Sequence, residues 1–389
     1  MRIGIDARTI LNPEKGEAIG VGHYTYQLIR HLLKIDNENE YVIFFDFRVR
    51  EKDVKKFTKP NVKIKFYPYS DYKKYLPGVY NEILGAATLQ KEKLDVLHTT
   101  SPMSRIPQSY DGKTIVTFHD MGAFSTPECY PSMKRARTRV ISKLMAKKAE
   151  RVVAASNAIK TDLEKYLQVP SEKIDVIYSG IDRRFFEQPS EGAQKLLSHF
   201  GIEKKYILFL GTIEPSKNIS RLLSTFAKFK EARKAKNGGS CEYQLVLAGK
   251  RGWQSQQIQE QVKELKLSKD VLFTGYVIGD ELVPLFRGAE FFIMPSLYEG
   301  FGMTVLEAFA TETPTILSKI PTLEEVGDGG AYFVDPMNVG EMAEALEKFA
   351  TDEQFRKSYC QKGLERARMF DWEKTARETL AIYEKVAKK

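Results

Sequence analysis

Short runs of branched and aromatic apolar residues recur along the chain, each followed by a longer stretch in which apolar positions return every three or four residues. In the first half the runs are IGID (3–6), YVIFF (41–45), VKIKFY (62–67), DVLHT (95–99), TIVTF (114–118), RVVAA (151–155) and KIDVIY (173–178). Their length and composition predict strands. Helical periodicity fills the intervals near 22–34, 79–90, 132–149 and 157–168, the last behind Ser156 as an N-cap. The second half repeats the pattern. Strands are expected at 206–211, 243–248, 271–276, 291–295 and 314–317, and helices near 218–235, 255–266, 280–288 and 303–312. AYFVD (331–335) is the last strand, and from about 338 the pattern is helical throughout. Strands spaced by helices imply βαβ units, and therefore parallel sheets covered on both faces. The segment 179–196 interrupts the alternation before a fresh strand opens at 206, which puts a domain boundary there: 1–185, then 186–368. The expected fold is α/β, two doubly wound domains of similar size. No repeat at a solenoid period is visible.

Composition narrows the class. With 389 residues, 42% hydrophobic and 29% charged, the chain is an ordinary globular protein, and disordered, collagen-like and low-complexity classes are excluded. Its strongest apolar runs, YILFLG (206–211) and FFIM (291–294), fall far short of the ~18 residues of a spanning helix. Met1-Arg2 leads straight into IGIDA with no secretory leader, so a cytoplasmic location is expected. Cys129, Cys241 and Cys360 are odd in number and far apart, a pattern of reduced thiols rather than of a disulfide framework or zinc site. The net charge of +9 is unevenly placed. Residues 1–190 hold 32 Lys and Arg against 23 Asp and Glu, and the remainder holds 28 of each. The first half therefore either meets something anionic or is merely kept in solution by its charge.

Ligands of doubly wound sheets bind beyond the carboxyl ends of the strands, so the residues just after each strand carry the candidate chemistry. In FFIMPSLYEGFGMTVLEAFA (291–310) a strand is followed by a loop with Gly300 and Gly302 and a helix from Met303. Glycines admit a close ligand, and the free N–H groups of a helix start bind phosphate oxygens. Glu299 in the loop can hold sugar hydroxyls, and Glu307, inside the helix, can accept two hydrogen bonds from a cis-diol such as a ribose. A Gly-rich loop with a solvated helix glutamate is the plain alternative. In LFLGTIEPSKNISRLL (208–223) a strand ends at Gly211, Asn218 or Ser216 caps the next helix, and Lys217 stands at a helix start, where an anion would balance it. QLVLAGKRGW (244–253) ends another strand with Lys250 and Arg251. Two lysines at strand ends of one sheet suit a pyrophosphate. In the first half, Gly20-Val-Gly22 opens a helix after a loop too long for a dinucleotide fingerprint. His119 closes the strand TIVTF, placed either to touch a substrate or to bond its neighbour Asp120. His23, His31, His98 and His199 have no metal-ligand spacing. The chain lacks any Asp-x-Asp clasp, Walker A loop, G-x-S-x-G elbow or His-Glu-x-x-His, so lysines and helix starts are left to neutralise a diphosphate.

Together these residues resemble glycosyltransferase family 4, the retaining group with the GT-B architecture of two facing Rossmann-like domains, over nearly the whole chain. EGFGMTVLE (299–307) fits the family's E-x7-E signature. The resemblance implies donor-phosphate roles for Lys217 and Lys250, a backbone contact of Val277 with the nucleobase, and a donor-phosphate loop at Gly20 and Gly22. Donor contacts are implied also at Gly211, Thr212, Glu299, Gly300, Phe301, Gly302, Met303, Thr304 and Glu307. His119 is implied beside the transferred sugar, so the expected catalytic residues are His119, Lys217 and Glu299. Trp372 in MFDWEKTA resembles the start of a last helix, 369–389, that crosses back to the N-terminal domain. One departure stands out: many members carry an Arg where this chain has Thr212, and a subgroup carries one where it has Ser216.

The expected function is a retaining transfer of a hexose, needing neither metal nor cofactor, onto a glycan or lipid-linked acceptor in cell-surface polysaccharide or glycolipid synthesis. GDP-mannose is the first candidate donor and a UDP-hexose the second; nucleic acid is not an expected partner. The rival is a GT-B sugar-nucleotide epimerase or a non-catalytic sugar-nucleotide-binding subunit, for which the basic first half would have no use. Within 132–152 eight Lys and Arg stand against Glu150 alone, with Met133, Ala136, Val140, Ile141, Leu144 and Met145 as an apolar stripe. Such a helix suits peripheral binding to an anionic membrane on its cytoplasmic face, though the stripe is also needed to cover the sheet, which would leave only the basic face for lipid.

Overall fold

The computed structural model describes residues 1–11, 20–67, 81–188, 193–277 and 279–388. Parts of the expected long loop after the first strand, of the helix at 79–90, of the boundary segment, of the segment around Val277 and of the terminal helix lie outside the described residues. The chain forms two compact units. One comprises Met1–Ser125, Pro131–Gly180 and Asp371–Lys389; the other comprises Thr126–Tyr130 and Ile181–Phe370.

Among the described residues the first unit is built on seven parallel strands: β1 (Arg2–Asp6), β2 (Glu40–Asp46), β3 (Val62–Tyr67), β4 (Val96–Thr99), β5 (Thr114–Phe118), β6 (Arg151–Ala154) and β7 (Ile174–Val176). Their order is β3-β2-β1-β4-β5-β6-β7. Runs such as Tyr41–Phe45 and Ile115–Val116 are buried on both faces, which is why they read as continuous apolar segments rather than as alternating ones. The described residues of the second unit form six parallel strands: β8 (Lys205–Leu210), β9 (Tyr243–Ala248), β10 (Val271–Gly275), β11 (Phe291–Met294), β12 (Thr315–Ser318) and β13 (Tyr332–Val334), in the order β10-β9-β8-β11-β12-β13. Its core joins Phe226, Phe229, Tyr243, Phe291 and Phe349. Short helices at Ala193–His199 and Pro321–Gly327 occupy stretches that the sequence pattern leaves unassigned.

The units change between Gly180 and Ile181, ahead of the expected 185/186. Gly180 packs so closely under the last helix that a Cβ there would lie 2.1 Å from Trp372 N, whereas the Phe185 ring packs at 6.4 Å from that of Phe286 in the second core. The helix Trp372–Ala387 belongs to the first unit. Its Thr375 hydroxyl donates to Tyr178 O at 2.7 Å, and its Tyr383 hydroxyl meets Nδ1 of the fully buried His98 at 2.7 Å.

Two local expectations are corrected. Ser156 caps its helix through Ile159 N–H at 3.1 Å, but Asn218 does not cap the helix Ile219–Lys236. It sits in the left-handed region at φ 59°, and its buried amide donates to Pro295 O at 3.0 Å and Pro336 O at 2.7 Å, tying three loops together. Ser216 bonds Glu214 instead. On the helix Ser132–Lys148 the apolar residues divide between two faces. Met145 and Ala146 cover the sheet, while Met133 (85% exposed), Val140 (60%) and Leu144 (37%) lie on the opposite face. Residues seven and four apart fall on one line of a helix, so these three form an outward stripe with Arg137, Lys143 and Lys147 beside them.

Candidate active site

In the second sheet the chain leaves β8 toward β9 on one side and β11 toward β12 on the other. The loops after β8 and β11 therefore diverge and open a crevice at the carboxyl ends of the strands. The loop after β8 is zipped to the loop after β9: Gly211 N–H donates to Ala248 O at 2.9 Å, Ile213 N–H to Lys250 O at 2.9 Å and Gly252 N–H to Ile213 O at 3.0 Å. Gly249 permits the approach, since a Cβ there, at φ +141°, would lie 1.9 Å from Gly211 O. A turn at Pro215–Lys217 then sends Lys217 across the switch point, where its Nζ donates to Glu299 Oε1 at 2.7 Å. The same oxygen accepts from Ser296 Oγ at 2.7 Å, and Thr322 Oγ1 donates to the Glu299 backbone carbonyl at 2.8 Å. Side chains only 19% and 10% exposed make this a largely desolvated ion pair, in which either charge without the other would be costly. Lys250 is exposed, its ammonium 4.2 Å from the centre of the Tyr276 ring.

Gly302 begins the helix Met303–Ala310 from the left-handed region at φ 88°, with no capping side chain and no acidic residue in the first turn. The positive end of the helix dipole is thus open to an anion. Farther along that helix Glu307 is 8% exposed, and no described residue meets its carboxyl with a hydrogen bond. Burial raises its pKa to about 8, with the Arg184 guanidinium pulling the other way and Asp182 adding to the rise. Burial thus favours the neutral acid of Glu307 over its carboxylate.

The first sheet has its own switch point, between β1 and β4. Here an ion pair closes the end of β1, Asp6 with Arg8 at 2.6 Å and side chains 6% and 11% exposed, and the polar groups around it are neutral. The helix Gly20–Ile35 starts at an exposed Gly20 with φ +64° and open space around its α-carbon, and Gly22 is buried. Thr25 Oγ1 pairs with Thr9 Oγ1 at 2.8 Å and donates to Thr100 Oγ1 at 2.7 Å. His119 Nε2 donates to Thr100 O at 3.0 Å, and its ring packs edge-on to Tyr24 at 4.4 Å. Desolvation lowers its pKa to about 4, so His119 is a neutral imidazole with Nδ1 as its acceptor. Asp120, the alternative partner, accepts from Gly122 N–H at 2.5 Å.

Two family models match the chain: "Glycosyl transferases group 1" over residues 198–366 and "Glycosyltransferase Family 4" over residues 19–185. The chain belongs to glycosyltransferase family 4. It is 26% identical over 275 residues to O-antigen chain mannosyltransferase B of Escherichia coli, covering 70% of each chain. To O-antigen chain mannosyltransferase RfbU of Salmonella typhimurium it is 28% identical over 269 residues, covering 67% of this chain and 68% of that one. Sucrose-phosphate synthase from Thermosynechococcus elongatus superposes with a TM-score of 0.79 at 19% identity over 99% of both chains. Anabaena HepE in complex with UDP and glucose gives 0.74 at 17% identity over 99% of this chain and 100% of that one. The two parallel-sheet units thus share the GT-B fold.

In this family 4 transferase the second unit brings together Gly211, Thr212, Lys217, Glu299, Gly300 and Gly302 on the diverging loops, with Met303, Thr304 and Glu307 on the helix that follows. The Phe301 and Val277 side chains point into the core, Phe301 edge-on to Phe370 at 5.9 Å and Val277 2% exposed, which leaves only their backbones for a ligand. Sequence reasoning treated Lys217 and Glu299 as separate ligands for phosphate and sugar, but they are partners of one another. It missed Ser296 and Thr322, which hold Glu299, and Arg184 and Asp182, whose charges act on Glu307. Neither small hydroxyls nor a distant Arg-Asp pair carries a local pattern that would have marked them. Among the described residues no helix is long and apolar enough to cross a membrane.

Proposed function

We propose that this glycosyltransferase moves a hexose with retention and without a metal or cofactor. The donor is GDP-mannose first and a UDP-hexose second; the acceptor is a glycan or lipid-linked sugar of cell-surface polysaccharide or glycolipid synthesis. The observation that carries the chemistry is the Lys217–Glu299 pair held across the switch point of the second sheet, three residues before an uncapped helix start. Mannose is favoured because both relatives named above are mannosyltransferases. A diphosphate at the start of Met303–Ala310 draws the Lys217 ammonium toward itself and Lys250 away from the Tyr276 ring, and Glu299 turns its freed oxygen to sugar hydroxyls. As the C1–O bond to the diphosphate breaks, these cations and the helix dipole stabilise the charge that develops on the leaving oxygen. The acceptor oxygen bonds C1 on the same face, and its proton passes to the departing phosphate oxygen. Glu307 receives the ribose hydroxyls. His119 contacts the sugar, a role that rests on the family resemblance alone.

A thermal-shift panel of GDP, UDP and ADP tests the donor, since a ligand at a hundredfold its Kd adds about 2.7 kcal/mol. GDP-specific stabilisation is expected; a response to UDP alone would overturn mannose. Activity is expected to survive EDTA, and loss restored by Mn²⁺ or Mg²⁺ would refute metal independence. The outward stripe Met133, Val140 and Leu144, flanked by Arg137, Lys143 and Lys147, supports reversible peripheral binding to anionic lipid.

A further inference from the structure

A cavity of about 660 Å³ opens beside the turn at Glu214–Asn218, and its described lining residues all belong to the second unit. Its size falls in the range of small-ligand sites. Trp253 forms part of its wall and is 41% exposed, in contrast to the chain's other tryptophan, Trp372, at 2%. Gln254 follows at φ 63°, a left-handed conformation that a residue with a Cβ adopts only when its surroundings hold it there. It starts the helix Ser255–Glu264, from which Gln257 and Gln261 also face the cavity. Gln261 is oriented: its amide nitrogen donates to Ser220 O at 3.0 Å, which leaves its carbonyl oxygen to accept.

The charge of the lining selects among ligands. Glu214 and Glu128 line the cavity, and Arg221 is the one cation among its described lining residues. That guanidinium already donates to Asn218 Oδ1 at 2.9 Å. A nucleotide or phosphate would meet more negative than positive charge. A neutral polyol would not: carboxylates and planar amides accept and donate to hydroxyls, and an indole face covers the C–H side of a pyranose ring. Glu214 also ties the cavity to the crevice, since it stands on the same turn as Lys217 and its Oε1 accepts from Ser216 Oγ at 2.9 Å.

We infer that this cavity is a saccharide subsite that holds a neutral pyranose of the acceptor glycan, stacked on Trp253 and hydrogen-bonded by Gln257, Gln261 and Glu214. The inference rests on the transferase reading and adds to it a binding site outside the donor residues.

Saturation-transfer NMR on the full chain without nucleotide, with mannotriose, maltotriose and chitotriose as probes, reads the contact directly. At least one trisaccharide should receive saturation. Trp253→Ala should abolish it and Gln257→Ala, at an exposed helix position, should weaken it. In transfer assays Trp253→Ala should raise the acceptor KM roughly tenfold, the order of one lost aromatic stack, with kcat and the nucleotide thermal shift unchanged. The inference is overturned if no trisaccharide is saturated or if Trp253→Ala leaves saturation undiminished. A free trisaccharide that raises kcat without competing with acceptor would make the cavity an effector site and overturn the acceptor assignment. Failure of the transferase reading looks different: the wild type would then show no thermal shift with any nucleoside diphosphate, whatever the NMR result.

Discussion

The two sheets have the same kind of switch point and furnish it differently. In the second unit the crevice holds a desolvated lysine–glutamate pair, an uncapped helix start and a buried acid without a hydrogen-bond partner among the described residues. In the first the charged pair is local, Asp6 with Arg8 two residues on, and around it stand threonine hydroxyls and a histidine kept neutral by burial. A pair stretched between two loops beside an uncapped helix start is placed to re-pair with an anion, whereas a pair closed within one loop braces that loop. Neutral donors and acceptors suit hydroxyl groups. On the reading proposed above, the charges that meet the diphosphate belong to the second unit.

The largest effect should come from Lys217. Lys217→Met should lower the transfer rate about 10²–10³-fold, as for loss of one preorganised charge stabiliser, and should destabilise the fold by about 3–5 kcal/mol because Glu299 is left buried and unpaired. Adding Glu299→Gln should restore the melting temperature but not the rate. If the double variant regains activity, the lysine is only a structural partner and the contrast between the units collapses.

Glu307 comes next. Glu307→Gln should weaken nucleoside diphosphate binding by about 1.5–3 kcal/mol, read by calorimetry. Ribose hydroxyls favour the ionised carboxylate, so wild-type affinity should rise from pH 6 to pH 9 and the variant's should not. Stability should move the other way. The folded pKa of about 8 exceeds the model-peptide value of 4.5, so between them the folded protein holds a proton that the unfolded chain has lost. The favourable contribution is complete below pH 4.5 and disappears as pH rises through 8. Relative to wild type, Glu307→Gln should therefore melt higher at pH 9 than at pH 5, and parallel pH profiles would rule out a buried neutral acid.

His119→Ala should reduce kcat/KM about threefold to tenfold, the range of one neutral hydrogen bond, with the nucleotide thermal shift unaltered. The wild-type pH–rate profile should show no inflection near 6.5, because His119 titrates near 4. A nucleotide-binding defect in this variant would blur the division between the units. The smallest effect belongs to the helix Ser132–Lys148, where Lys143→Glu should weaken co-sedimentation with anionic vesicles by about 1 kcal/mol at low salt and leave transfer to a soluble acceptor intact. Wild-type protein that ignores such vesicles would remove the membrane reading.

Much of the fold was legible because buried parallel strands are uninterrupted apolar runs, and Phe291–Met294 or Ile115–Phe118 could hardly be anything else. The glycine-rich loop at 299–302 was legible for the same local reason. What the chain hid were relations across distance. Lys217 and Glu299 are 82 residues apart and on different loops, so nothing local marks them as partners. Asn218 looked like a cap because Asn before a helix usually is one, but two carbonyls from remote loops outcompeted the helix start. The helix Ser132–Lys148 has apolar residues on both faces, and periodicity alone does not say which arc the sheet takes.

The last helix has a consequence for the birth of the protein. Trp372–Ala387 supplies Tyr383 to His98 in the interior of the first unit and closes over Gly180. On a ribosome those residues emerge only after the whole second unit has been made. The usual order, in which the N-terminal domain finishes first, is therefore reversed. The N-terminal sheet must wait, incompletely plugged, while the C-terminal sheet completes itself, and a nascent chain stalled before residue 372 would carry an open wound in its first domain.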